Sequence, residues 1–338
     1  MSNPSQASHV AVTGLAELAV VRRSGLIESR HFGSLLAIDS RGRTALKLSE
    51  TNAVTLPRST MKPLQALACL TAGAPLTGPE LAIAAGSHTG EDEHVRVVRS
   101  ILTRAGRTQS ALGCPYDRPE DEATFEGMIR AGEGRTAIRM NCSGKNAAML
   151  LACAVNGWST EDYLDPAHPL QQHILTTMEE FTGVSVTHTA VDGRGAPLFG
   201  TTVRGIATAF RKVLTAATDV PAGLVSAAMR PHPFYVGGSG QANTELIASL
   251  PGVLATGGAE GVIGVAGPDG AAVSMKVIDG SPRATTLIAL RVLEFLGTAI
   301  DDAKAFMVLP VLGGGVRVGE IVPGSDLTAA IAVAERAA

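Results

Sequence analysis

Turn signals that recur at both ends of the chain, with helical patterns between them, constrain the fold more than any other feature. Leu18–Arg23 and Leu26–His31 flank Ser24-Gly25, and Ser34–Asp39 and Thr44–Leu48 flank Ser40-Arg41-Gly42-Arg43, two strand–turn–strand patterns. Late in the chain Gly261–Ala266 and Ala271–Ile278 flank Gly267-Pro268-Asp269-Gly270, a third hairpin signal. Strands drawn from both ends can share one antiparallel sheet, with the helical residues between them inserted as a unit. The expected fold class is therefore α/β in the broad sense (α+β), with β-rich ends and a helical middle over about residues 59–250.

The middle carries its own punctuation. A helix should begin near Ser59 and turn Leu64, Leu67, Ala68 and Leu70 inward, with Pro63 tolerable only in its first turn. Thr77 and Glu80 have the spacing of a capping box. Apolar stripes predict helices over His94–Ala105, Asn141–Asn156 (ended by Gly157), Pro169–Phe181 (stopped at Gly183) and Thr201–Leu214, and Arg283–Leu296 reads as a closing amphipathic helix.

Composition narrows the function classes. With 338 residues, 45% hydrophobic and 17% charged, the chain can bury a large core under a lightly charged surface. A net charge of −3 gives no electrostatic reason to expect nucleic acid or an anionic membrane as partner. Arg291 and Glu294 interrupt the apolar run Thr285–Ile300, so no membrane span is expected. Residues 1–15 read as a polar tail without a secretion signal, and 16–338 as a single domain in the cytoplasm. Cys69, Cys114, Cys142 and Cys153 fit no paired zinc motif, and Cys69 and Cys153 sit in apolar helical runs as buried fillers.

Five segments could carry chemistry. In Arg58-Ser59-Thr60-Met61-Lys62, a serine and a lysine three apart on a helix can meet, and a poorly solvated lysine can take the hydroxyl proton. A helix N-cap beside an exposed lysine has the same spacing. Gly86-Ser87-His88-Thr89-Gly90-Glu91 could expose Ser87 on a tight turn, with His88 and Glu91 as acid–base groups or as loop structure. In Asn141-Cys142-Ser143-Gly144-Lys145-Asn146 a cysteine and a lysine share a helix start, where N–H groups favour an anion, although a capped helix with an incidental cysteine reads equally well. Val191-Asp192-Gly193-Arg194-Gly195 is an ordinary turn or a place to hold a substrate amine. Finally Thr256-Gly257-Gly258-Ala259-Glu260-Gly261 would allow close backbone approach to a ligand, ahead of the hairpin bearing Lys276.

In their joint order these segments resemble the rhizobial-type L-asparaginase (asparaginase II) family, from about Ala16 to beyond Arg283, with Gly157-Trp158-Ser159-Thr160-Glu161-Asp162-Tyr163-Leu164-Asp165-Pro166 as an especially distinctive tract. The resemblance implies a serine β-lactamase-like fold, hydrolysis of L-asparagine to L-aspartate and ammonia, and a homodimer. It also implies two Ser–Lys tandems, here Ser59 with Lys62 and Ser87 with Lys276. Arg58 would meet the substrate carboxylate, Asn146 and Asp192 would help orient the amino acid, and Cys142 and Lys145 would line the pocket.

The family's zinc site is the exception. Of its protein ligands Cys142 and Lys145 are retained, but Arg194 stands where the second cysteine is expected, and Asn146 replaces a histidine. A guanidinium has no lone pair to give a metal. No zinc or other cofactor is therefore expected, and Arg194 would place a fixed positive charge at the pocket. Two alternatives stay open: another Ser–Lys hydrolase acting on amides, esters or β-lactams, or a homologue that binds amino acid without turning it over.

Overall fold

The computed structural model describes residues 14–193 and 195–337. Apart from Gly14 and Leu15, the polar tail lies outside these, as does Arg194. Strands β1 (Ala16–Arg23), β2 (Leu26–Ile38) and β3 (Thr44–Leu48) open the chain. Four short strands follow: β4 (Val54–Thr55), β5 (Thr189–Val191), β6 (Pro197–Phe199) and β7 (Thr201–Thr202). The last five are β8 (Leu254–Gly258), β9 (Val262–Ala266), β10 (Ala272–Val277), β11 (Leu309–Gly313) and β12 (Val316–Pro323).

Eight of them form one antiparallel sheet in the order β11-β12-β1-β2-β10-β9-β8, with β3 also paired to β2. Strands from the two ends of the chain thus share a sheet, as the turn signals predict, and the helical middle projects from it. The pairing of β2 with β10 (Ser34 opposite Lys276) makes the join. Both β9 and β10 are buried on both faces, so helices cover the sheet on two sides. Val203–Thr215 packs on β2, β9 and β10, and Thr285–Phe295 on β9 and β10. Among the described residues no helix is long and apolar enough to cross a membrane.

Several local expectations are corrected. The two strands read on either side of Phe32-Gly33 are one, because β2 pairs with β1 up to Gly33 and with β10 from Gly33 onward, changing partners without a break. The first part of the glycine segment before β9, Thr256 to Gly258, lies in the strand β8. Arg283–Leu296 does not close the fold: β11, β12 and the helix Ser325–Ala337 follow it. No capping box forms at Thr77, whose side chain makes no cap bond while Glu80 accepts from Ser100 and pairs with Arg104. The box stands instead at Glu91 and His94, which open the helix Asp92–Arg104.

Candidate active site

The site forms where the helical middle meets the β8 edge of the sheet. The predicted helix start at Ser59 is a single 3₁₀ turn, Arg58–Met61, and the α-helix proper runs from Lys62 to Thr71 with Pro63 in its first turn. Arg58 holds a left-handed backbone (φ 54°), a strained conformation for a non-glycine residue and one that clusters at functional sites. Against this turn lies the end of β8: a Cβ on Gly258 would sit 2.9 Å from the Pro57 carbonyl oxygen and 3.2 Å from the Ser59 nitrogen. Only glycine lets the two backbones come this close. Thr256 ties them further by donating to the Thr60 carbonyl oxygen at 3.3 Å.

Lys62 is 2% exposed. It shares a chamber with Ser59, yet its Nζ donates to Ser87 Oγ at 2.7 Å and to the Asn141 carbonyl oxygen at 3.2 Å. Among the described residues neither tandem implied by the resemblance is joined by a hydrogen bond: Lys62 bonds the second serine, while Lys276, half-buried on β10, donates to the Glu260 carbonyl oxygen. Ser87 is set by its own backbone, whose N–H donates to the Val236 carbonyl oxygen at 2.8 Å. Burial holds the Lys62 ammonium below the ordinary lysine range, and the neighbouring Lys145 charge adds to this. Lys276 is lowered too, by burial and then by Arg58, against the pull of Glu260 and Asp279.

Cys142 stands just before the helix Ser143–Asn156. That helix start is pressed onto the helix Gly78–Ala84, since a Cβ on Gly144 would lie 2.6 Å from the Ile83 carbonyl oxygen. The approach brings Cys142 and Lys145 beside Lys62. Lys145 Nζ bonds Asp192 Oδ2 at 3.1 Å, and Asp192 Oδ1 accepts from the Ala196 N–H within the β5–β6 turn. For Lys145 burial works against the proton, but Cys142 and Asp192 outweigh it and the net shift is upward. Lys145 thus holds its proton more firmly than Lys62, which is distant in sequence but lines the same chamber.

One expectation changes, and an open choice is resolved. Asn146 does not face substrate: its Nδ2 donates to the Cys142 carbonyl oxygen at 3.0 Å, and its Oδ1 accepts from the Tyr163 hydroxyl at 2.6 Å, all of it buried. It braces the Cys142 turn, and the distinctive Gly157–Pro166 tract supplies the brace. His88 is fully buried, with Nδ1 accepting from the Gly90 N–H and Nε2 bonded to Ser143 Oγ, and burial keeps it neutral well below the usual histidine range. Glu91 caps a helix and accepts from Ser239. Both are loop structure rather than acid–base groups. Arg194, the residue on which the metal expectation turned, lies outside the described residues.

Two chambers meet at Ser59. The smaller, about 90 Å³, is lined by Arg58, Ser59, Lys62, Gln65, Cys142, Lys145 and Asp192. The larger, about 650 Å³, has Ser59, Ser87 and Asn141 on one side and Arg283 and Phe306 on the other. Gln65, Glu120, Asn243 and Arg283 were not singled out from sequence; each lies in a segment without catalytic spacing. The residues present do not fit the family's zinc ion. Among the described residues no group of three or more His, Cys, Asp or Glu side chains could hold a metal ion, and Lys145, one of the two retained ligands, is bonded to Asp192 instead.

The family model described as L-asparaginase II matches residues 19–323. Comparison with curated protein sequences gives no match. Among solved structures, a β-lactamase from Mycobacterium bovis is similar at 14% identity, covering 79% of this chain and 95% of its own, with a TM-score of 0.43. EstCE1, a hydrolase with promiscuous acyltransferase activity, is similar at 13% identity, covering 77% and 93%, with a TM-score of 0.43. A simvastatin synthase variant from Aspergillus terreus is similar at 12% identity, covering 79% and 91%, with a TM-score of 0.36.

Proposed function

We propose that this chain, which belongs to the L-asparaginase II family, hydrolyses the side-chain amide of L-asparagine to L-aspartate and ammonia. The observation that carries this reading is the buried Lys62, held below the ordinary lysine range and bonded to Ser87 in a chamber it shares with Ser59. The small chamber presents cations and a carboxylate together, which complements a zwitterionic amino acid. Arg58 would take the α-carboxylate and Asp192 the α-ammonium. Lys145 holds Asp192 in place.

Ser59 attacks the amide carbon and neutral Lys62 accepts its proton. Ser87, in contact with Lys62, passes that proton to the departing ammonia, and water then frees aspartate from Ser59. Backbone N–H groups of the Ser59 turn and of the Gly258–Ala259 edge are the proposed oxyanion donors. Lys276 keeps the Glu260 turn opposite Arg58. One observation favours a second reading: Lys62 touches Ser87 directly, the contact expected of a base and its nucleophile.

Ammonia release from L-asparagine tests the function, with esters and β-lactams assayed beside it. Hydrolysis of those in place of asparagine would replace the reading, and binding of asparagine without turnover would make the chain a binding protein. In the same assay zinc and chelator are expected to change the rate little, and the purified protein to carry far less than one zinc per chain. Arg194→Cys is expected to raise zinc uptake, measured by metal analysis after dialysis. Stoichiometric zinc in the unaltered protein, surviving chelator, would mean that other residues complete the shell.

A further inference from the structure

The chamber beyond Ser59 is far too large for the leaving group of asparagine. Ammonia is about the size of water, which occupies about 30 Å³, whereas this chamber holds about 650 Å³, within the range of sites that enclose whole ligands. Its wall is mixed rather than merely wet: Ile263, Phe306, Val308 and Leu309 supply apolar surface, and Arg283 is its one cationic side chain among the described residues.

Arg283 is also held in place. Its Nε donates to His31 Nε2 at 2.8 Å, and His31 Nδ1 bonds Asp279 Oδ2 at 2.6 Å. With Nε2 accepting from Arg283, the His31 Nδ1–H donates a hydrogen bond to the carboxylate. The ring is 2% exposed and cannot swing away. Such a chain fixes the guanidinium and leaves Nη1 and Nη2, a pair suited to gripping a carboxylate. Nothing in the release of ammonia uses it.

We propose that the site also cleaves secondary amides of the aspartate side chain whose nitrogen belongs to a second amino acid, that is, β-aspartyl peptides with an apolar second residue. This rests on the asparaginase reading above. The aspartyl head occupies the small chamber, the second residue lies in the large one, and its carboxylate pairs with Arg283. Ser59 Oγ bonds to the side-chain carbonyl carbon, the C–N bond breaks, and the proton from the serine hydroxyl passes by Lys62 and Ser87 to the departing amine. Water then splits the ester, giving aspartate and a free amino acid.

The full chain should be assayed on L-asparagine, β-aspartyl-leucine and the same dipeptide with its carboxylate capped as an amide. Release of leucine from the dipeptide is expected, with the capped form roughly 10- to 100-fold poorer in kcat/KM, the usual loss of a charge-assisted pair. Arg283→Met should lower the ratio of dipeptide to asparagine kcat/KM by a similar factor and leave the capped form no worse relative to asparagine. Turnover of asparagine with no cleavage of the dipeptide would overturn the proposal and spare the asparaginase reading. Equal rates on capped and free dipeptides would remove Arg283 as the anchor and with it the proposal. Hydrolysis of neither substrate would overturn both.

Discussion

Ser59→Ala is expected to lower asparagine turnover by about three orders of magnitude or more, the usual cost of removing a nucleophile, while unfolding stays cooperative. Ser59 is partly exposed at the junction of the two chambers, so losing its hydroxyl leaves no cavity in the core. Ser87→Ala should cost less, about one to two orders. It removes the relay, but Lys62 keeps its bond to the Asn141 carbonyl oxygen and its place beside Ser59. Steady-state rates and a burst of ammonia at high enzyme concentration would measure both. The reverse order, with Ser59→Ala active and Ser87→Ala dead, would make the Lys62–Ser87 contact the nucleophile–base pair.

The parts of this arrangement that were readable in the sequence are those written in neighbouring residues. Ser24-Gly25 and Asp269-Gly270 mark hairpins because tight turns need those residue types, and Gly157 and Gly183 stop helices for the same reason. The final hairpin had a signal as well, Gly313-Gly314-Gly315 between apolar runs, but β12 buries neither face fully and so lacks the alternation that marks a strand. The glycines Gly257 and Gly258 read as places of close backbone approach to a ligand, but what Gly258 admits is the Ser59 turn, a tertiary partner that no neighbouring residue announces. The site's residue types were legible, and their pairing was not. Ser59-x-x-Lys62 looks like a self-contained unit, yet the 3₁₀ turn and the Gly144 contact direct Lys62 to Ser87. His31, Asp279 and Arg283 were beyond reach, since they meet across 248 and 252 positions of chain.

Lys62→Met is expected to abolish turnover to about the same depth as Ser59→Ala and, unlike it, to raise stability at neutral pH. The two effects have one cause. Burial is the largest influence on Lys62 and opposes its charge, so the folded chain binds this proton less tightly than the unfolded chain, where lysine titrates near about 10.4. Below both values the folded state bears the full cost of the buried ammonium. Between them the unfolded state binds more protons, so stability rises with pH until the cost is gone. Methionine has a similar length and no charge to desolvate, so the variant's advantage should be greatest at neutral pH and shrink toward pH 10. Urea midpoints at the two pH values would measure it. Wild-type activity should climb with pH over the same interval, because only neutral Lys62 can accept the serine proton. Lys145 lies close enough to influence it, so the limb belongs to the cluster rather than to one amine. A Lys62→Met variant that still turned over asparagine, or whose stability advantage was the same at both pH values, would show that this lysine is neither the base nor a buried charge held at a cost. The trade is the one expected of an active site, where a group is kept in an unfavourable state because the reaction needs it there.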